Sequence, residues 1–179
     1  MGEAEAVRIA ELLAARNRLD LEIALVTNRP VSIVHLGEWI ASKVFGIELD
    51  AEAVNPAVDG IFGTGELAGK SVNVKWYLTR EGLLDLNELA AADYYLVLAG
   101  PKSASIRGGI RPWCFESVHL FESGPLVESI RSRGLRIATA ASIRVEQWDD
   151  AEIFPVSAHP ALVVTEDQAG LLRLFKPEM

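Results

Sequence analysis

Ser71-Val72-Asn73-Val74-Lys75-Trp76-Tyr77 alternates polar and apolar residues with a period of two, the pattern of a half-buried β-strand. Residues two apart on a strand share a face, so Asn73 and Lys75 project together while Val72, Val74 and Trp76 take the opposite side. Just upstream, Ala57-Val58-Asp59-Gly60-Ile61-Phe62 reads as another strand, and Gly63, Thr64 and Gly65 supply a turn between the two. A hairpin over that turn brings Asp59 beside Asn73 and Lys75. Polar residues on an inner strand face are costly unless they pair or bind something.

Outward from this hairpin the chain reads as alternating helices and strands. Ala4 to about Thr27 has helical spacing, with Asn28 and Pro30 as the stop. Ser32 is an N-cap for a second helix through Ile33, Leu36, Ile40, Val44 and Phe45, closed by Gly46. After the hairpin we expect a helix at about Leu83–Ala92. The unalternating run Tyr94–Ala99, bounded by Asp93 and Gly100, suits a central strand covered on both faces. Residues 101–112 read as a loop, Trp113–Phe121 as a strand, Pro125–Arg133 as a helix ending at Gly134, and Arg136–Arg144 as a strand. Thr165 and Gln168 form a capping box before a last helix, Ala169–Phe175. The order predicts an α/β fold with a central mixed sheet flanked by helices. The expected organisation is one domain over 1–179, with an N-terminal helical extension (1–30), a core (about 32–122) and C-terminal α/β elements (123–179).

Composition narrows the function classes. A chain of 179 residues buries enough surface to fold without disulfides or metal. Its single cysteine, Cys114, excludes an internal disulfide and a cysteine-based zinc cluster, which fits a reducing, cytoplasmic setting. The start, Met1-Gly2-Glu3-Ala4-Glu5-Ala6, lacks the order of a secretion signal, and no apolar run reaches membrane-spanning length. The net charge of −8 argues against binding nucleic acid by overall attraction. Residues 61–115, however, hold five acids and six bases, so an anionic substrate is expected to dock there.

A Glu on a helix, an Asp on one strand and an acid-x-Lys triplet on the next make up a known pattern. Here it reads Leu36-Gly37-Glu38-Trp39-Ile40-Ala41, Val58-Asp59-Gly60 and Val72-Asn73-Val74-Lys75. Over residues 32–99 the chain resembles the PD-(D/E)XK superfamily, the restriction-endonuclease-like nucleases. The resemblance implies a restriction-endonuclease-like core and metal-dependent phosphodiester hydrolysis of DNA in which Glu38, Asp59, Asn73 and Lys75 are catalytic. Glu38, Asp59 and Asn73 would hold Mg²⁺ or Mn²⁺ through oxygen, as hard cations prefer, and Lys75 would orient a water or pair with the phosphate. Asn73 departs from the pattern, which has Asp or Glu there. Its amide oxygen can ligate a metal but brings no charge.

Lys102, Arg107 and Arg111, in a loop with Ser103, Ser105 and Gly108-Gly109, have the composition of a phosphate-contacting segment. His35, one turn before Glu38, could reach the site or a DNA phosphate. Gly69-Lys70-Ser71 fails as a phosphate-binding loop, because Thr64 stands where the pattern needs glycine and a strand follows. Cys114 with His119 fails as a nucleophile pair, since both were expected at opposite-facing positions of one strand. The four tryptophans read as core or sub-core residues. The leading expectation is a nuclease, as monomer or homodimer. The alternatives are a non-catalytic nucleic-acid-binding module that keeps the nuclease fold and a protein-interaction domain.

Overall fold

Six consecutive apolar residues, Tyr94–Ala99, are buried on both faces and form the middle of the fold. A computed structural model of the chain describes residues 3–50, 58–86, 92–102, 111–137, 140–156 and 159–177. In chain order the elements are α1 (Glu3–Thr27), α2 (Ile33–Phe45), β1 (Ile47–Leu49), β2 (Gly60–Phe62), β3 (Ser71–Tyr77), β4 (Leu83–Leu84), β5 (Tyr94–Ala99), β6 (Ser117–Glu122), α3 (Ser123–Ser132), β7 (Ala141–Ser142), α4 (Val145–Asp150), β8 (Glu152–Phe154) and α5 (Glu166–Arg173). Among the described residues six strands form one mixed sheet in the order β1-β2-β3-β5-β6-β8, and β4 pairs with β7 in a small second sheet. β3 and β5 run parallel, Asn73 beside Tyr95 and Lys75 beside Val97; the sheet's other pairings are antiparallel.

Parallel strands cannot share a tight turn, so their common start needs another anchor. Ser71 and Asp93 provide it. The Asp93 carboxylate accepts from the Ser71 amide and hydroxyl, both at 2.8 Å, and the Asp93 amide donates back to Ser71 Oγ. These bonds from Ser71, with Lys70 nearby, hold the Asp93 carboxyl below its usual range.

The alternation of β3 and β5 divides the interior in two. Val72, Val74, Leu96 and Leu98 pack with α2 and α5 on one face, whereas Tyr95, Val97 and Ala99 pack with α3 and α4 on the other. The result is a three-layer α/β/α arrangement around a mixed sheet, as expected. α5 is tied to α2 by Gln168 Nε2, which donates to the carbonyl of Val44 in the helix's last turn. No helix of the described residues is long and apolar enough to cross a membrane.

Several expectations hold closely. Asn28 (φ 54°) and Gly46 (φ 64°) take the left-handed conformations that end α1 and α2, Ser32 caps α2, and Thr165 and Gln168 box α5. Others need correction. Asp59 lies just before β2, which starts at Gly60, and a strand at Ile47–Leu49 extends the sheet beyond it. β3 is covered on both faces near its start, so Asn73 is buried and not half-exposed. Leu83–Leu84 is a strand and not the start of a helix, because it pairs with Ala141–Ser142; residues 87–91 lie outside the described residues. Residues 113–116, Cys114 among them, precede β6, and Trp113 is 43% exposed.

His119 lies fully buried on β6, its Nδ1 2.9 Å from the Trp148 carbonyl and its Nε2 2.9 Å from Ser117 Oγ. Burial pushes its pKa down to about 4, so the ring is neutral, Nδ1 donates to Trp148 and Nε2 accepts the Ser117 hydroxyl. A histidine with a lowered folded pKa favours folding above its unfolded pKa and loses that contribution as pH falls through the folded one. Denaturant titrations should therefore show stability falling between pH 6.5 and about 4, by up to about 3 kcal/mol from this residue. The fall should be smaller in His119→Gln, and an unchanged acid limb in that variant would contradict the assignment.

Candidate active site

The turn between the first two helices sets where Glu38 arrives. Asn28 in the left-handed region and Pro30 redirect the chain, and Ser32 Oγ accepts from the His35 amide to start α2. Glycine at position 37 lets that helix approach the sheet, since a Cβ there would stand 3.3 Å from the Trp76 Cβ. The next residue, Glu38, is thereby carried down to the sheet and is only 8% exposed. A buried carboxylate needs a partner. The Arg29 guanidinium, from the turn itself, forms an ion pair with it.

Asp59 reaches the same place along the chain. Its amide donates to the Val72 carbonyl at 2.9 Å, and its own carboxylate accepts from the Val74 amide at 2.7 Å. Backbone and side chain of Asp59 thus grip β3 on either side of Asn73, at the point where β2 gives out. Gly60 is required beside it, because a Cβ there would lie 2.5 Å from the Glu48 carbonyl oxygen of β1.

Charge at this point is crowded. Burial raises the Asp59 pKa, the Val74 hydrogen bond opposes that rise, the Glu38 carboxylate adds to it, and Lys75 and Arg29 work against it. Glu38 comes from the side where α2 covers Val72 and Val74, while Asn73 and Lys75 project to the opposite face of β3. Asp59, whose backbone bonds both Val72 and Asp50, thus stands between a carboxylate on one side of β3 and the Asn73 and Lys75 side chains on the other. Asn73 is 3% exposed, and its Oδ1 has no hydrogen-bond partner. A buried unmet acceptor costs about 1–3 kcal/mol, an expense usually confined to positions with another use.

Of the four sequence-predicted residues, Glu38 and Lys75 both act by charge on Asp59, and Asn73 lies on β3 between Val72 and Val74, the two residues that Asp59 bonds. The cluster's charged members are two carboxylates and two cations. Among the described residues no group of three or more His, Cys, Asp or Glu side chains could hold a metal ion. The side chains of Glu38, Asp59 and Asn73 all end in oxygen, the donor type that hard divalent cations prefer.

The expected nucleic-acid contacts are dispersed. His35 Nδ1 lies 2.9 Å from the Pro30 carbonyl, which ties it to the α1–α2 turn. Lys102 is exposed and its backbone pairs with that of Arg80; with Arg80 and Lys176 it lines a cavity of about 460 Å³ whose wall also carries Glu116 and Glu152. Arg111 is exposed, and Arg107 lies outside the described residues. Sequence reasoning missed Arg29 and Arg80. Arg29 carried a usable signal: it is a basic residue in a tight Asn-Arg-Pro turn, nine positions before a glutamate on an otherwise apolar helix face.

A carboxylate with a raised folded pKa favours folding below its unfolded pKa and loses that contribution as pH rises through the folded pKa. Asp59 therefore costs stability at neutral pH. Asn at position 59 keeps the acceptor for Val74 and removes the charge, so Asp59→Asn should melt at or above the wild-type temperature at pH 7.5. The difference should vanish as pH falls below the unmodified value of 3.8. A variant several degrees less stable at pH 7.5 would show that the charge is structural.

No family model matches the chain, and no curated protein matches it either.

Proposed function

We propose that this chain is a metal-dependent nuclease that hydrolyses DNA phosphodiester bonds on a restriction-endonuclease-like core. One observation carries the reading: Glu38 and Lys75 act by charge on the Asp59 carboxylate, and Asp59 is bonded to β3 at Val72 and Val74, on either side of the buried and unpartnered Asn73. The order of helix, strand, hairpin and strand, with each residue on the expected element or immediately before it, supports the same view.

Within this reading Glu38, Asp59 and Asn73 Oδ1 are the residues that would hold Mg²⁺ or Mn²⁺. The bound ion would supply Lewis-acid polarisation of a phosphate oxygen and a water acidic enough to ionise near neutral pH. The chain's own groups do the rest. Lys75 places a fixed positive charge beside the carboxylates, where it can orient a phosphate and stabilise the charge that builds on it. The hydrogen bond from Val74 fixes the Asp59 oxygens before substrate arrives, so little reorganisation is needed. Half-burial of the cluster limits water around it, which strengthens each of these interactions.

A second reading, a non-catalytic nucleic-acid-binding module with the same core, is favoured by a specific observation. Arg29 already neutralises Glu38, and Asn73 adds no charge, so the cluster attracts a dication less than three carboxylates would. Supercoiled plasmid separates the two. With Mg²⁺ or Mn²⁺ the purified protein should nick it, and Asp59→Asn and Lys75→Ala should each lose activity on the order of 100-fold or more. Asn73→Asp should increase it. Equal trace activity in wild type and both loss variants would refute the nuclease reading; cleavage gained only in Asn73→Asp would favour the binding module.

A further inference from the structure

α1 is 25 residues long and lies largely clear of the body. Nine large apolar side chains along it are exposed: Leu19, Leu21, Leu25 and Val26 by 59–75%, and Val7, Ile9, Leu12, Leu13 and Ile23 by 36–55%. Helices in water draw most of their stability from tertiary packing of an apolar face, so this one is missing a partner. The spacing says what kind. Ile9, Leu12, Arg16, Leu19, Ile23 and Val26 follow one another in alternating steps of three and four, the seam of a coiled coil. Ile9, Arg16 and Ile23 fall at one seam position, and Leu12, Leu19 and Val26 at the other. Apart from Arg16 the first position is β-branched, and the second holds two leucines and a valine.

At its root the seam runs into the body. Ile23 and Val26 join Trp39, Trp76 and Trp113 around an apolar cavity of about 490 Å³. Seam and cavity therefore form one continuous apolar surface.

We infer that the occupant is α1 of a second copy, running antiparallel about a two-fold axis near Asn17 and Arg18. A parallel pair would stack Arg16 on Arg16 inside the seam. The antiparallel pair sets Arg16 against Leu19 of the second copy and near its Asp20, the residue type that already holds Arg16 at 3.5 Å within one helix. The same register places Ile9 against Val26 and Leu12 against Ile23, so the first half of each helix covers the tryptophan cavity of the other molecule. One isologous contact then covers both the seam and the cavity, while Val7, Leu21 and Leu25 lie off the seam. Five seam aliphatics, Leu13 on their flank and the three tryptophan rims exceed the roughly 300–600 Å² patch of an ordinary monomer. They approach the roughly 800 Å² per partner of a standard interface.

Analytical ultracentrifugation of the full chain at up to about 100 μM should show a dimer. Leu12→Glu with Leu19→Glu should weaken it by on the order of 100-fold and leave the core's thermal transition in place, since both side chains are solvent-facing. In a Cys114→Ala background, Ile9→Cys mixed with Val26→Cys should form the mixed disulfide, and Ile9→Cys alone should not cross-link. A monomer throughout the concentration range, a dimer indifferent to the two glutamates, or self-cross-linking of Ile9→Cys would each overturn the proposal. None of these outcomes depends on nuclease activity.

Discussion

The Asp59 carboxylate takes a hydrogen bond from the Val74 amide at the point where β2 stops running beside β3, and both the sheet and the site are organised around that contact. It gives the Val74 backbone amide a side-chain acceptor. It also fixes a carboxylate in a half-buried position, and that placement dictates its surroundings. Glu38 descends on α2 because Gly37 permits close approach, Arg29 follows to compensate Glu38, and Lys75 stands two residues beyond Asn73 on the same strand face. Glu38, Arg29 and Lys75 thus all act on one half-buried carboxylate.

The two-sided core accounts for the rest of the site's character. α2 and α5 cover one face of β3 and β5, while α3 and α4 cover the other, so a polar residue near the start of β3 cannot escape to water. Asn73 is trapped with an unmet acceptor, and Asp59 binds its proton more tightly than a free aspartate does. Both features work against stability. His119 on the adjoining part of the same face shows the contrast: equally buried, it has both ring nitrogens satisfied and is a packed core residue. Ser123 Oγ and Trp148 Nε1 are also buried without a partner; what sets Asn73 apart is its place on β3 between the two residues that Asp59 bonds, beside a carboxylate whose pKa is raised.

Local signals were legible where they were complete within a few residues. Ser32 as a cap, Asn28 and Gly46 as left-handed ends, the Thr165–Gln168 box and the unbroken run Tyr94–Ala99 each depend on chemistry next to them in the chain. Leu83–Leu84 was misread because its strand partner, Ala141–Ser142, lies more than fifty residues away and its own sequence suits a helix equally well. The short strands β1 and β8 carry too few residues to show a period. At the site, Asn73 and Lys75 were placed on one face by alternation alone, whereas the burial of Asn73 follows from helices that pack from distant parts of the chain. Arg29 was passed over because its role exists only once α2 is folded back over β3.

Crystals soaked in Mn²⁺ test most directly the proposed divalent-cation site at Glu38, Asp59 and Asn73. An anomalous difference peak within about 2–2.3 Å of the Asp59 and Glu38 carboxylates, on the side of the Asn73 amide oxygen and with Arg29 swung away from Glu38, is the predicted result. No peak beside Asp59 and Glu38 at millimolar Mn²⁺, with the Arg29–Glu38 pair intact, would contradict it.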